Sequence, residues 1–259
     1  MVCSIQCKHN NKDKGMVRVV NCLTVAILLL ASVQANAGAI AKWGAGLGTG
    51  ATISWSIMDG GLSCELGTVE PAGCVTSSLD SFMPAGYKSE IERAFDAWSI
   101  VADLTFIEVL DQGEDVNVPS TSGIIRVGAH AFDGPSGVLA HGYFPSNSPV
   151  GGDIHFDSTD IWKIGFAGVG IDIFQVMAHE LGHALGLGHS DDGFIIPELP
   201  PGPALMDPFY SEAFSGPQAA DIAYIQFLYG AAKNTEIPVP PTLALFMIAL
   251  IGLAARRKV

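Results

Sequence analysis

The segment HELGHALGLGH, residues 179–189, sets three histidines and one glutamate at a spacing suited to a metal ion. A helix turns about 100° per residue, so His179 and His183 share a face one turn apart, where both rings reach the same ion. Catalytic zinc takes nitrogen ligands at about 2 Å and keeps one position for water, so a third protein ligand is required. Continued helix would carry His189 about 15 Å along the axis from His179, far beyond a shared ion. The helix must therefore end, and Gly186 can take the positive φ that ends it, while Gly188 keeps the return tight. Zinc would acidify its water and polarise a scissile carbonyl, and Glu180 would take the water's proton and return it to the leaving amine. A bare HExxH is more often ordinary helix with a satisfied core histidine. Gly186 and His189 add independent requirements that set that reading aside.

Elements must position these groups. Alternation over residues 51–58 (ATISWSIM) reads as a strand, and residues 104–110, 123–128, 138–144 and 153–156 read as further strands. In KSEIERAFDAWSIVADL, after Pro84, the residues Ile91, Ala94, Phe95, Trp98 and Val101 recur at helical spacing, so one face packs on a sheet. A second helix is expected over residues 171–185 and a third over 218–228, after a Pro-rich loop. Strands and a helix first, then mostly strands, then helices, make an α+β fold.

The 259 residues are 49% hydrophobic, but the long apolar runs lie at residues 19–33 and 242–255. Lys8, Lys12, Lys14 and Arg18 precede the first run, and Ala35-Asn36-Ala37 follows it in the form of a signal-peptidase site. Residues 1–37 thus read as a leader cleaved after Ala37; Met16 is a second possible start, and a short uncleaved anchor helix is the alternative. Between leader and tail stand six basic residues against 25 acidic ones, which argues against a nucleic-acid partner and suits bound cations or plain solubility. Only Cys64 and Cys74 lie outside the leader; in an exported chain they read as one disulfide, with two free thiols as the alternative.

The extended HExxHxxGxxH pattern is that of the metzincins, and for their downstream methionine turn Met206 in PALMDP is the candidate. AFDAWSIVADLTFIEV, AFDGPSGVLAHGYFP, GGDIHFDSTDIW, HELGHALGLGHS, ALMDP and DIAYIQFLYG all resemble matrixin segments, in matrixin order, across residues 43–230. The resemblance implies a twisted five-stranded mixed sheet with three helices and a substrate cleft. It implies a structural zinc on His130, His141 and His155. The family's usual aspartate ligand is missing, because His130-Ala131-Phe132-Asp133 runs directly into the FDGP stretch. That zinc would be lost, take water, or borrow another carboxylate. A calcium site is implied at Asp133, Asp157 and Asp160 with the carbonyls of Gly134, Ser136 and Val138, and part of a second at Asp153 with Gly151 and Asp115. Solvated acidic loops are the plain alternative. Gln175 and Ala140 match positions that shape the pocket for the residue after the scissile bond. Residues 191–203 are longer than the matching loop of most relatives. Neither a PRCGVPD-type switch nor a hemopexin-like domain is visible, so latency would arise otherwise.

The tail, residues 238–259, joins Pro238-Val239-Pro240-Pro241, an apolar run and a basic cluster. The run is short against the ~20 residues a spanning helix needs. It resembles PEP-CTERM sorting signals, which implies an exosortase-like partner, with a plain anchor as the alternative. The expectation is a monomeric zinc- and calcium-dependent metalloendopeptidase, exported to periplasm, cell surface or exterior and acting on protein or peptide substrates. A surface-displayed, catalytically silent zinc-binding or adhesion domain is the competing function.

Overall fold

The computed structural model describes residues 2–6, 41–67, 70, 72–189, 200 and 202–233. Its strands are β1 (Val2–Gln6), β2 (Ala51–Ile57), β3 (Leu104–Glu108), β4 (Ile125–His130), β5 (Val138–Tyr143), β6 (Ile154–Asp157), β7 (Trp162–Lys163) and β8 (Ile171–Asp172). Its helices are α1 (Tyr87–Ser99), α2 (Ile173–Ala184) and α3 (Ala219–Tyr229). The main sheet runs β1-β5-β6-β4-β2-β3, parallel from β6 through β4 and β2 to β3, with β5 antiparallel to β6 and β1 antiparallel to β5. The expected mixed five-stranded sheet with three helices is present. Val2–Gln6, within the stretch expected to be a leader, adds a sixth strand at its edge.

Residues 123–128 and 104–110 pair slightly out of the bounds their sequence suggests, at Ile125–His130 and Leu104–Glu108. Helix α1 also stops at Ser99, short of Leu104, because Leu104 is needed opposite Ala51 to open the β2–β3 pairing. Its apolar face is placed as its spacing requires. Ile91, Ala94, Phe95 and Trp98 are buried, and Phe95 stacks on Trp55 of β2 with centroids 4.5 Å apart. The wholly buried helix α2 lies between α1 and the β5 end of the sheet. The Trp98 indole N–H donates to the Ala178 carbonyl of α2 at 2.9 Å, pinning the two helices at the level of the zinc motif.

Most of residues 1–37, expected to be a leader, residues 190–199, and the whole of residues 238–259, expected to be a sorting signal, lie outside the described residues. Among the described residues no helix is long and apolar enough to cross a membrane.

Candidate metal centre and active site

Asp172 caps α2, its Oδ1 accepting the Gln175 amide at 2.8 Å, and the helix then carries His179, Glu180 and His183 into the core, all three fully buried. At its far end Gly186 has φ +107°, and the Leu187 amide reaches back 2.9 Å to the Gly182 carbonyl. This is the turn that the spacing demanded. A side chain at Gly186 would strike the Ala41 carbonyl, 2.1 Å from where its Cβ would sit. The return brings His189 Nε2 to 3.2 Å from His183 Nε2, which is itself 3.1 Å from His179 Nε2.

The other ring nitrogens settle the protons. His179 Nδ1 faces the Leu205 carbonyl at 2.7 Å and His183 Nδ1 the Leu187 carbonyl at 2.7 Å. A carbonyl only accepts, so both Nδ1 atoms carry hydrogen and the two Nε2 atoms present lone pairs to each other. Burial, above all, pushes His179 down to about 3 and His183 well below the ordinary histidine value, so both rings are neutral. Lone pairs 3.1 Å apart repel unless a cation lies between them, and bonds of about 2 Å to a tetrahedral zinc put ligand atoms roughly 3.3 Å apart. The donor set fits zinc.

Met206 lies beneath this helix. A Cβ on Gly182 would come within 2.4 Å of its Sδ, so the glycine is what lets α2 settle on the methionine. Asp221, buried at the start of α3, accepts the Leu205 amide at 2.7 Å and the Met206 amide at 3.1 Å, fixing the turn whose Leu205 carbonyl orients His179.

Glu180 faces β5 and β1. The Ile5 amide donates to its Oε1 at 3.2 Å, and burial raises its carboxyl well above the ordinary value against the opposing amides of Ile5 and Gly142. A Cβ at Gly142 would lie 2.6 Å from the Glu180 carbonyl oxygen, so β5 can pass α2 this closely only as glycine. Strand β1 lies between two edges: Ile5 opposes Ala140 on β5, while Gln6 donates to the Pro208 carbonyl at 3.1 Å and accepts from the Tyr210 amide at 3.0 Å. Ala140 and Gln175 are both buried, and Gln175 Oε1 accepts the Gly216 amide at 3.2 Å.

A model of the matrixin family matches residues 74–230, which contain the three histidines, Glu180, Met206 and Asp221. This chain belongs to the matrixin family. It is 40% identical over 162 residues to matrix metalloproteinase-18 of Xenopus laevis, covering 61% of this chain and 31% of that one. It is 39% identical over 174 residues to interstitial collagenase of Oryctolagus cuniculus (64% and 34%) and 40% identical over 166 residues to human matrix metalloproteinase-16 (60% and 25%). The chain thus spans about a quarter to a third of the length of these relatives. Matrixins use catalytic zinc, and calcium is typical of matrix metalloproteinases.

The matrixin domain gathers a second histidine group. His130, His141 and His155 converge with Glu70, which the sequence reading did not single out. Glu70 Oε1 is 3.1 Å from His130 Nε2, 2.9 Å from His141 Nε2 and 3.8 Å from His155 Nδ1. Burial presses His155 down to about 3, so its ring is neutral.

The acidic loops are less convergent. Burial raises the Asp160 carboxyl, the Ser136 amide opposes this, and the charges of Asp157 and Asp133 raise it further, so the three carboxylates do crowd one another. Asp157 Oδ2 and Asp160 Oδ2 are buried without a hydrogen-bond partner among the described residues. Even so, the three do not close to within 4.8 Å as the histidine groups do. Asp115 accepts the Ser63 amide at 2.7 Å, while Asp153 accepts the Arg126 amide at 3.3 Å and feels the charges of Arg126 and Asp111. Arg126, paired with Asp111 at 2.8 Å, supplies the positive charge beside Asp153.

Proposed function

We propose that this matrixin domain hydrolyses peptide bonds in proteins, with zinc held by His179, His183 and His189 and with Glu180 as general base. One observation carries the reading. An extended strand lies across the cleft between β5 and residues 208–210, and its Ile5 amide meets the carboxylate beside the three histidines.

Zinc, when bound, polarises a carbonyl and makes water acidic enough to be deprotonated near neutral pH. The protein's own groups do the rest. The backbone of β5 holds a peptide straight by ladder hydrogen bonds, as it holds β1. Glu180 sits at the amide nitrogen of the strand, where a proton must arrive if that nitrogen is to leave. Burial raises its carboxyl, which suits a group that takes a proton and gives it back. The Leu205 and Leu187 carbonyls keep His179 and His183 in the tautomer that offers Nε2. Ile5 is 2% exposed opposite Ala140, which supports an apolar pocket for the residue after the scissile bond, with Ala140 and Gln175 among its walls.

Asp133, Asp157 and Asp160, with the carbonyls of Gly134, Ser136 and Val138, make the calcium site of this reading. The unpartnered Asp157 and Asp160 oxygens support it. The leader pattern and the bonded Cys64–Cys74 pair support export to an oxidising compartment, and the tail pattern supports handling by an exosortase-like enzyme. A silent zinc-binding domain would have no need of Glu180 in its place. The test is digestion of a general protein substrate by the purified protein. Cleavage that stops on chelation and returns with zinc is expected; stoichiometric zinc without cleavage would establish the silent domain instead.

A further inference from the structure

The second histidine group has a fourth member from an unrelated part of the chain. Cys64 and Cys74 are bonded, and the loop they close carries Glu70. The loop is tied down within itself and to the sheet: the Cys64 amide donates to the Cys74 carbonyl at 3.1 Å, Leu66 to the Glu70 carbonyl at 2.9 Å, and Ser77 to the Ala129 carbonyl at 2.7 Å, next to His130 on β4. Cys64 is fully buried against Met58, Val116, Tyr143 and Val150. Glu70 is thereby delivered, 2% exposed, onto three rings from β4, β5 and β6.

Hydrogen bonding alone does not account for the arrangement. His130 Nδ1 lies 3.1 Å from the Ala131 carbonyl, so it carries the hydrogen and Nε2 presents a lone pair. That lone pair points at a carboxylate oxygen 3.1 Å away, and His130 Nε2 has no hydrogen-bond partner among the described residues. His141 Nε2 and His155 Nδ1 stand 3.1 Å apart. The four ligand atoms are spaced near the roughly 3.3 Å that a tetrahedral zinc with bonds of about 2 Å requires. Tyr143 O–H donates to Glu70 Oε1 at 3.2 Å, the outer support a ligating carboxylate ordinarily has. Phe132 stacks on His141 with centroids 4.7 Å apart.

We propose that Glu70, presented by the Cys64–Cys74 loop, is the fourth ligand of a second zinc ion held by His130, His141 and His155, so that disulfide loop and ion hold each other in place. Three imidazoles and one carboxylate leave no position for water. The ion is structural, and its presence does not depend on whether the Glu180 site cleaves peptides.

The experiment counts zinc in the full chain and in Glu70→Gln while a chromophoric chelator competes. Wild type should hold two ions and the variant one, with the second-site affinity falling about a hundredfold or more and the melting temperature falling with it. Two ions held with the same competition curve in the variant, or one ion only in wild type, would overturn the assignment. Should the variant not fold, amide exchange in wild type decides. Stripping zinc with a chelator should speed exchange across residues 62–76 more than across α3, and unchanged exchange in that loop would overturn the proposal.

Discussion

His179 Nε2 and His183 Nε2 face each other at 3.1 Å, each ring having given its hydrogen to a carbonyl on the other side. The Leu205 and Leu187 carbonyls thus decide which nitrogen each ring offers, and the elements that hold those carbonyls become part of the site.

Asp221 is the clearest case. It binds the amides on either side of the Leu205 carbonyl, at 2.7 and 3.1 Å. Asp221→Ala leaves two buried amides unpaired, at about 1–3 kcal/mol each. The melting temperature should fall, and zinc affinity of the His179 site should fall by about 10–100-fold, as for other outer-sphere partners. Zinc titration of the variant checks this.

Gly182 tests the contact between α2 and Met206. Alanine there would place a Cβ 2.4 Å from Met206 Sδ and 3.3 Å from the Trp98 ring. A destabilisation of about 1–3 kcal/mol is expected. Met206→Ala in the same background should recover part of it, which denaturant unfolding of the single and double variants would show.

Much of this was legible in the residues. The HELGHALGLGH spacing implied both the shared face and the turn at Gly186, because those follow from helix geometry and from one glycine. What was not legible depends on contacts between distant segments. The Cys64–Cys74 loop holds two glutamates, Glu65 and Glu70, and only the packing of the loop against β4 selects Glu70. Asp221 could be read as the third residue of a capped helix, but its reach back to residues 205 and 206 could not. Val2–Gln6 read as leader, and its fit as an edge strand needs only alternation and a free neighbour, which five residues do not advertise.

The position of β1 makes a kinetic prediction. Val2–Gln6 occupies the groove between β5 and residues 208–210, so protein beginning at residue 38 should cleave a peptide substrate faster than the full chain. A synthetic VCSIQ peptide should slow the shortened protein competitively. Equal rates with and without residues 1–37 would show that the strand yields freely to substrate.

Acid should dissolve both histidine sites. His179 and His155 are held at about 3 in the folded protein against 6.5 as the ordinary value. The unfolded chain therefore binds more protons between those values, and stability is full above about 6.5 and lost as pH falls toward about 3. Protons and zinc compete for the same nitrogens, so metal release should accompany the loss. Melting temperature and zinc content measured together from pH 7 to 4 should fall together.

The most direct measurement is peptide hydrolysis by Glu180→Gln beside wild type, with zinc counted in both. Glutamine keeps the size and the hydrogen-bond acceptor at Ile5 but cannot take a proton. Both proteins should hold the same zinc, and the variant should lose about 10²–10⁴-fold in rate, the usual contribution of a general base. Equal rates at equal zinc would contradict the role of Glu180 and with it the proposed peptidase centre.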